Sequence, residues 1–124
     1  MRAEQSHPER LAGRAKLLRV FIGELDKVQG RPLYEAILLA AHERGIAGVT
    51  VLRGVAAYGA SSRLHMARVL RLAEDLPMVI EIVDEDAPIT AFLPLLDDLL
   101  AEAGGGGLMT LEAVDVIRHL PCSG

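Results

Sequence analysis

The apolar positions of this chain form segments that alternate between strand-like and helix-like spacing. Leu17–Gly23 is a β-branched and aromatic run closed by glycine, which predicts a buried strand whose Arg19 marks an end or an exposed position. From Leu33 the apolar residues recur at helical spacing up to Gly45, which predicts an amphipathic helix ended by a C′ glycine. Gly48–Val55 has the Val, Thr and Leu content of a second strand.

The second half of the chain follows the same plan. Met78–Asp84 alternates apolar and polar residues as a strand does. Pro88 opens a predicted helix with one apolar stripe, and Pro94 lies inside it, where it is tolerated in the first turns or else shifts the helix start or kinks the helix. The glycines of Gly104–Gly107 end this helix, and Leu108–Leu120 is the last predicted strand. The residues 60–75 between the two halves fit either a short helix or a hairpin arm.

The two halves are offset by roughly 60 residues and together read β-α-β-β-α-β. This order predicts an α+β ferredoxin-like fold, in which a four-stranded antiparallel sheet carries both helices on one face. A doubly wound parallel sheet is the rival architecture, but it requires more strand–helix units. The other face of a ferredoxin-like sheet would expose an apolar patch in a monomer, so we expect an oligomer.

Composition narrows the class of protein. The 124 residues fit one domain, which we expect at residues 16–120 between a flexible leader (1–15) and a tail (121–124). The net charge of −4 and the 3% aromatic content are atypical of nucleic-acid-binding proteins. No apolar run is long enough to insert into a membrane, and the N-terminus lacks a targeting pattern, so we expect a cytoplasmic protein. The single cysteine, Cys122, cannot form a disulfide within the chain.

Two local features could bind an anion. The run Gly104–Gly107 contains more glycines than a helix end needs, and backbone N–H groups without Cβ atoms can surround a phosphate. The alternative is a loose helix–strand connection. Arg53 and three further arginines, at positions 63, 68 and 71, could recognise phosphate or carboxylate, although solvated surface arginines are common.

The evidence for catalysis or metal binding is weaker. No histidine pair has metal-ligand spacing, and the acidic residues around Met78–Asp84 accompany no nucleophile or cofactor motif. We therefore expect no catalytic residues and no metal site. An alternative that stays open is a small enzyme or metal-binding protein that uses His65 with Glu74 or Asp75.

The segments Gly30–Gly54 and Arg71–Asp84, with the tripeptide Ala57–Gly59 and His65 between them, resemble an uncharacterised bacterial and archaeal family described as PII-like. The resemblance covers the chain from about Lys16 to His119. It implies a ferredoxin-like fold and, by similarity to nitrogen-regulatory PII proteins, a homotrimer with clefts between subunits. It also implies that residues 58–75 form the T-loop, the loop that contacts partner proteins.

The resemblance further implies a ligand site shared by two subunits. Around the T-loop its residues are Gly54, Tyr58 and Gly59, to which we add Arg53 and His65 of the basic loop. The others are Gly105, Gly106 and Gly107 in the B-loop and Arg118 on the last strand. Leu108 stands where PII proteins carry a lysine, and the end of the chain offers one arginine instead of several. A smaller adenylate, another anion or no nucleotide are therefore alternatives to a PII-type triphosphate.

These observations favour a non-enzymatic PII-like regulator. It would bind a small anionic ligand, with an adenine nucleotide as candidate effector and no other cofactor, in the cleft between subunits. Its loop 58–75 would report the ligand to a partner, for which the resemblance suggests a membrane transporter or channel. A purely structural oligomer with an empty cleft is a third hypothesis.

Overall fold

The structure is a computed structural model that describes residues 11–58, 65–66 and 75–121. Within these residues the chain forms two helices and eight strands, four of them only two residues long. In chain order they are β1 Gly13–Gly23, β2 Lys27–Val28, β3 Arg31–Pro32, α1 Leu33–Glu43, β4 Gly48–Arg53, β5 Ala56–Ala57, β6 His65–Met66, β7 Pro77–Asp84, α2 Asp86–Glu102 and β8 Leu108–Val116.

The four longer strands form one sheet in the order β4-β7-β1-β8, and every neighbouring pair is antiparallel. This is the predicted ferredoxin-like sheet, and the antiparallel pairing rules out the parallel rival. β1 and β7 occupy the centre because each pairs on both sides. The short strands pair separately, β2 with β3 and β5 with β6.

The hydrophobic core lies between the two helices and one face of the sheet. Alternate residues of the central strands point into it, among them Val20, Ile80 and Ile82, all fully buried. Ile37 of α1 and Phe92 of α2 cover them. Each such side chain contributes about 1.5–3 kcal/mol through its removal from water, so this layer holds the helices against the sheet.

The element boundaries differ from the predicted ones by a few residues. β1 begins at Gly13 instead of Leu17, because the residues before Leu17 pair with β8. β4 ends at Arg53 instead of Val55, and β8 ends at Val116 instead of Leu120. α2 begins two residues before Pro88, which places that proline in the first turn, where its missing N–H costs no helical hydrogen bond.

We call the face of the sheet opposite the helices the open face. Strand register and alternation assign to it Leu17, Phe21, Leu52, Val79, Val83, Leu108 and Val114, all partly or fully exposed. Its charged residues, of those on the described strands, are Arg19, Glu81 and Glu112. The expected apolar patch therefore exists, but it has a charged centre. Among the residues that the structure describes, no helix is long and apolar enough to cross a membrane.

Candidate functional site

The topology brings the predicted site segments to one edge of the sheet. β1 and β4 end there and β7 and β8 begin there, because Gly23 pairs with Pro77, Arg53 with Met78, and Phe21 with Leu108. We call this the loop edge. The segment between β4 and β7 starts and ends at this edge, and we call residues 53–58 its first stem and residues 75–76 its second stem. The glycine run that precedes β8 lies at the same edge.

The first stem leaves β4 through a tight approach to β7. The Gly54 N–H donates to the Pro77 carbonyl oxygen at 2.7 Å. A Cβ atom at position 54 would lie 2.8 Å from Pro77 Cγ, so a side chain cannot be added without movement. The family resemblance predicts Gly54 as a ligand-site residue, and the packing against Pro77 by itself requires glycine at this position.

Both stems are attached to the turn that follows β1. The Glu24 N–H donates to the Leu76 carbonyl oxygen at 2.7 Å, and the Leu25 N–H donates to Asp75 Oδ1 at 3.0 Å. Arg53 Nη2 of the first stem lies 2.8 Å from Glu24 Oε2. The β1 turn thus connects the start and the end of the loop segment.

The Asp75 carboxylate fits against the turn because residue 23 has no side chain. A Cβ atom at Gly23 would lie 2.8 Å from Asp75 Oδ1. Asp26 closes the other side of the turn, since its Oδ2 accepts the Gly23 N–H at 2.9 Å. Two carboxylates therefore organise the backbone at the loop edge.

Arg53 is a cation at this edge that a ligand could reach. Its side chain is 59% exposed, whereas the side chain of its partner Glu24 is 21% exposed. An ion pair with one solvent-exposed member is weakened by water, and a guanidinium has more N–H donors than one carboxylate oxygen uses. Arg53 can therefore exchange Glu24 for a carboxylate or phosphate.

The glycine run ends α2 in a Schellman motif. The Gly104 N–H donates to the Ala101 carbonyl oxygen at 3.2 Å and the Gly105 N–H to that of Leu100 at 2.7 Å. Gly104 and Gly105 have positive φ values of 114° and 83°, which glycine adopts without strain. These two glycines complete the helix end.

The other two glycines are available for a ligand. Neither Gly106 nor Gly107 donates its N–H to a loop or turn backbone oxygen of the described residues. A Cβ atom at Gly106 would meet nothing within 4 Å, whereas one at Gly107 would lie 3.4 Å from the Phe21 carbonyl oxygen. The predicted anion cradle is therefore reduced to two N–H groups.

The remaining predicted residues are not gathered at this edge within one chain. Tyr58 is 72% exposed and lies at the end of a described range. The backbone of His65 pairs with that of Ala57, so the segment that fitted either helix or hairpin contains a hairpin pairing here. Gly59 and Glu74 lie outside the described residues. Arg118 is exposed and follows β8, at the sheet edge opposite the loop edge.

Sequence reasoning missed the cluster around Arg19. Arg19 lies in the middle of β1, not at an end, and it is only partly exposed on the open face. Its Nε donates to Glu81 Oε2 at 3.0 Å and its Nη1 to Glu112 Oε1 at 2.7 Å. These hydrogen bonds, that to Glu81 first, raise the pKa of Arg19 above its ordinary value. The available signals were Arg19, the one charged residue of the predicted strand Leu17–Gly23, and Glu81, which lies between apolar neighbours in Met78–Asp84.

Among the described residues, no group of three His, Cys, Asp or Glu side chains could hold a metal ion. The alternative site at His65 with Glu74 or Asp75 falls partly outside those residues. It stays a hypothesis without a structural observation in its favour.

Comparison with known proteins places the chain among uncharacterised relatives. The model of the DUF190 family, described as "Uncharacterized ACR", matches residues 15–116. A UPF0166 protein of Aquifex aeolicus (strain VF5) is 39% identical over 102 residues, which are 82% of this chain and 92% of that protein.

Solved structures of PII-like proteins share the fold at low sequence identity. CPII, a nitrogen regulatory PII-like protein from Thiomonas intermedia K12 bound to ADP, AMP and bicarbonate, matches with a TM-score of 0.64 and 13% identity over 85% of this chain and 90% of that one. A putative PII-like signaling protein from Thermus thermophilus matches with a TM-score of 0.56 and 16% identity over 85% and 91%. The ferredoxin-like architecture is thus that of PII-like proteins.

Proposed function

The chain belongs to the DUF190 family, and from this membership and its PII-like fold we propose that it is a non-enzymatic signalling protein that binds a small anion at the loop edge. The observation that carries the proposal is that both loop stems, an exposed Arg53 on outer strand β4 and the N–H groups of Gly106 and Gly107 before outer strand β8 all lie at the loop edge. A guanidinium and unused backbone N–H groups each suit a phosphate, carboxylate or bicarbonate, and we propose that Arg53 of one copy and the glycines of a neighbouring copy share one such anion.

The candidate ligands follow from this chemistry and from the neighbouring fold. CPII carries ADP, AMP and bicarbonate in its crystal structure, and we propose an adenylate or bicarbonate as the ligand here. The glycine run supplies two available N–H groups and position 108 is Leu, so a ligand with one or two anionic groups fits better than a triphosphate. The effector is exchangeable, and no permanent cofactor is proposed.

The proposed assembly is a homotrimer in the cytoplasm. Arg118 and the loop edge lie at opposite ends of the sheet in one chain, so a ligand that contacts both must lie between two copies. Ligand binding at Arg53 would change the attachment of the first stem to Glu24 and so change the conformations open to residues 58–75. That loop would then bind or release a partner, of which a membrane transporter or channel is one candidate.

The test is calorimetric titration of the protein with ADP, AMP and bicarbonate, each alone. We expect binding of at least one, and we expect Arg53→Gln to weaken it by about tenfold or more, since a charge-assisted hydrogen bond is lost. Arg44→Gln, which removes the same charge at the C-terminal cap of α1, is the matched control and should bind as the wild type does. Absence of binding for all three compounds, or equal binding by the Arg53 variant, contradicts the proposal.

A further inference from the structure

The charged cluster on the open face is unusual in its position. Arg19 and Glu81 lie directly opposite each other on the two central strands, and Glu112 lies diagonally across on β8. The Arg19 and Glu81 side chains are each 33% exposed, and that of Glu112 is 54% exposed. The cluster is therefore already partly covered in a single chain.

Apolar side chains flank this cluster along the strands, and two threonines lie beside it across the strands, Thr110 opposite Arg19 and Thr50 opposite Glu81. Phe21 and Leu17 flank Arg19 on β1, and Val79 and Val83 flank Glu81 on β7. Leu52 and Leu108, on the outer strands, are 46% and 57% exposed. A mainly apolar face with paired charges at its centre can be buried, because no isolated charge would lose its solvation.

The unused hydrogen-bond donors and acceptors of the cluster indicate which kind of partner could bind to the open face. A guanidinium has five N–H donors, and two of those of Arg19 are used within the chain, which leaves three. Glu81 Oε1 and Glu112 Oε2 accept no hydrogen bond from the described residues. The cluster thus offers unused donors and unused acceptors side by side, which is complementary to a further copy of itself.

We propose that Arg19, Glu81 and Glu112 form a self-complementary contact between copies of this chain, in which the unused N–H groups of one Arg19 bind a carboxylate of a neighbouring copy. Glu112 is the accepting partner, because it is the most exposed of the three and lies on an outer strand. The contact rests on the proposed oligomer and names the residues that hold it together. It makes assembly specific, since a partner without this pattern would leave buried charges unpaired.

Sedimentation equilibrium of the full chain tests the contact. We expect the wild type to associate and Arg19→Met to dissociate, because two carboxylates would then face a neighbour's carboxylates without a cation. Arg14→Met removes the same charge from β1 at an exposed position outside the open face and should associate as the wild type does. A wild-type monomer, or an Arg19→Met variant with the wild-type mass, overturns the inference.

A second variant covers the case in which Arg19→Met fails to fold. Glu112→Ala keeps the ion pair between Arg19 and Glu81 within the chain and removes only the exposed acceptor. We expect it to raise the dissociation constant between copies by about 30-fold or more, as truncation of one member of a buried charge pair does. Asp115→Ala, on the same strand but facing the other side, is its control and should leave the constant unchanged. Equal dissociation constants for Glu112→Ala and the wild type overturn the inference.

These outcomes are distinguishable from failure of the ligand proposal. Titration of the Arg53 variant reports the loop edge, whereas sedimentation reports the open face. If the protein associates through Arg19 but binds none of the three anions, the contact between copies is supported and the proposed ligand class is contradicted. If the protein is a monomer that binds ADP, the contact between copies is contradicted and the anion site at the loop edge is supported.

Discussion

Gly54 and Gly106 both lie at the loop edge, but they differ in what surrounds them. Gly54 has a backbone conformation open to any residue and is restricted by Pro77, which a Cβ atom would meet at 2.8 Å. Gly106 also lacks a positive φ, and nothing lies within 4 Å of its Cβ position. A close neighbour, and not backbone conformation, therefore decides which of these glycines can be replaced.

Gly54→Ala should consequently destabilise the protein by about 1–3 kcal/mol, because the added methyl group must displace β7 or the first stem. Gly106→Ala should be neutral or slightly stabilising, since it restricts only the unfolded chain. Urea denaturation of both variants and the wild type measures the difference. Equal free energies of unfolding for the two variants would contradict this reading of the loop edge.

At the same scale, Arg19 and Glu24 show where prediction from the sequence stopped. The β-branched and aromatic run Leu17–Gly23 predicted a buried strand correctly, but the carboxylates that bind Arg19 come from strands far away in the chain. The ion pair between Glu24 and Arg53 could not be predicted from the sequence, because it depends on the bend of the turn that follows β1. The spacing of residues along a strand predicts on which face of the sheet a side chain lies. Its partners on neighbouring strands can be predicted only when the strand register is known.

The helices and strands were the features that the sequence predicted best. The order of strands and helices, the C′ role of Gly45 and the helix stop at Gly104 are all confirmed. α2 runs through Pro94 from Asp86 to Glu102, so that proline lies in the helix interior, whereas Pro88 lies in the first turn. The apolar stripe packs α2 strongly enough to keep the helix continuous despite the lost backbone hydrogen bond.

Replacement of the two prolines separates these positions. Pro94→Ala should stabilise the protein by about 1–3 kcal/mol, because it restores a backbone donor and removes a steric conflict with the preceding turn. Pro88→Ala should change the stability by less than about 0.5 kcal/mol, because an N–H in the first turn has no helical acceptor. Thermal unfolding followed by circular dichroism measures both, and a Pro94→Ala variant no more stable than the wild type would contradict the expectation.

For the whole molecule, an uncharacterised family was predicted from residues 30–54 and 71–84, and the match to DUF190 confirms it. The PII-like structures confirm the predicted fold. The ligand-binding residues stay predictions. They were assigned by analogy to a site between subunits, and one chain contains only part of such a site. The trimer and its partner likewise depend on surfaces that fold prediction does not specify.

If a ligand replaces Glu24 as the partner of Arg53, the affinity of the protein for that ligand should depend on Glu24. Glu24→Gln removes the internal carboxylate charge that competes for the guanidinium, so bicarbonate or AMP should bind more tightly, by up to about fivefold. Glu35→Gln, on the exposed side of α1, removes an equal charge elsewhere and is the control. Calorimetry measures both affinities, and weaker binding by the Glu24 variant would show that Glu24 supports the ligand instead of competing with it.

The hydrogen bonds of the β1 turn have a practical consequence for spectroscopy. The amide protons of Glu24 and Leu25 belong to the turn that follows the central strand, yet their acceptors, the Leu76 carbonyl and the Asp75 carboxylate, belong to the second stem of the loop. Their two resonances in a ¹H–¹⁵N correlation spectrum would therefore report the attachment of the loop from a position outside it. The scaffold carries its own probe of how the loop is attached, and no label needs to be placed on the loop.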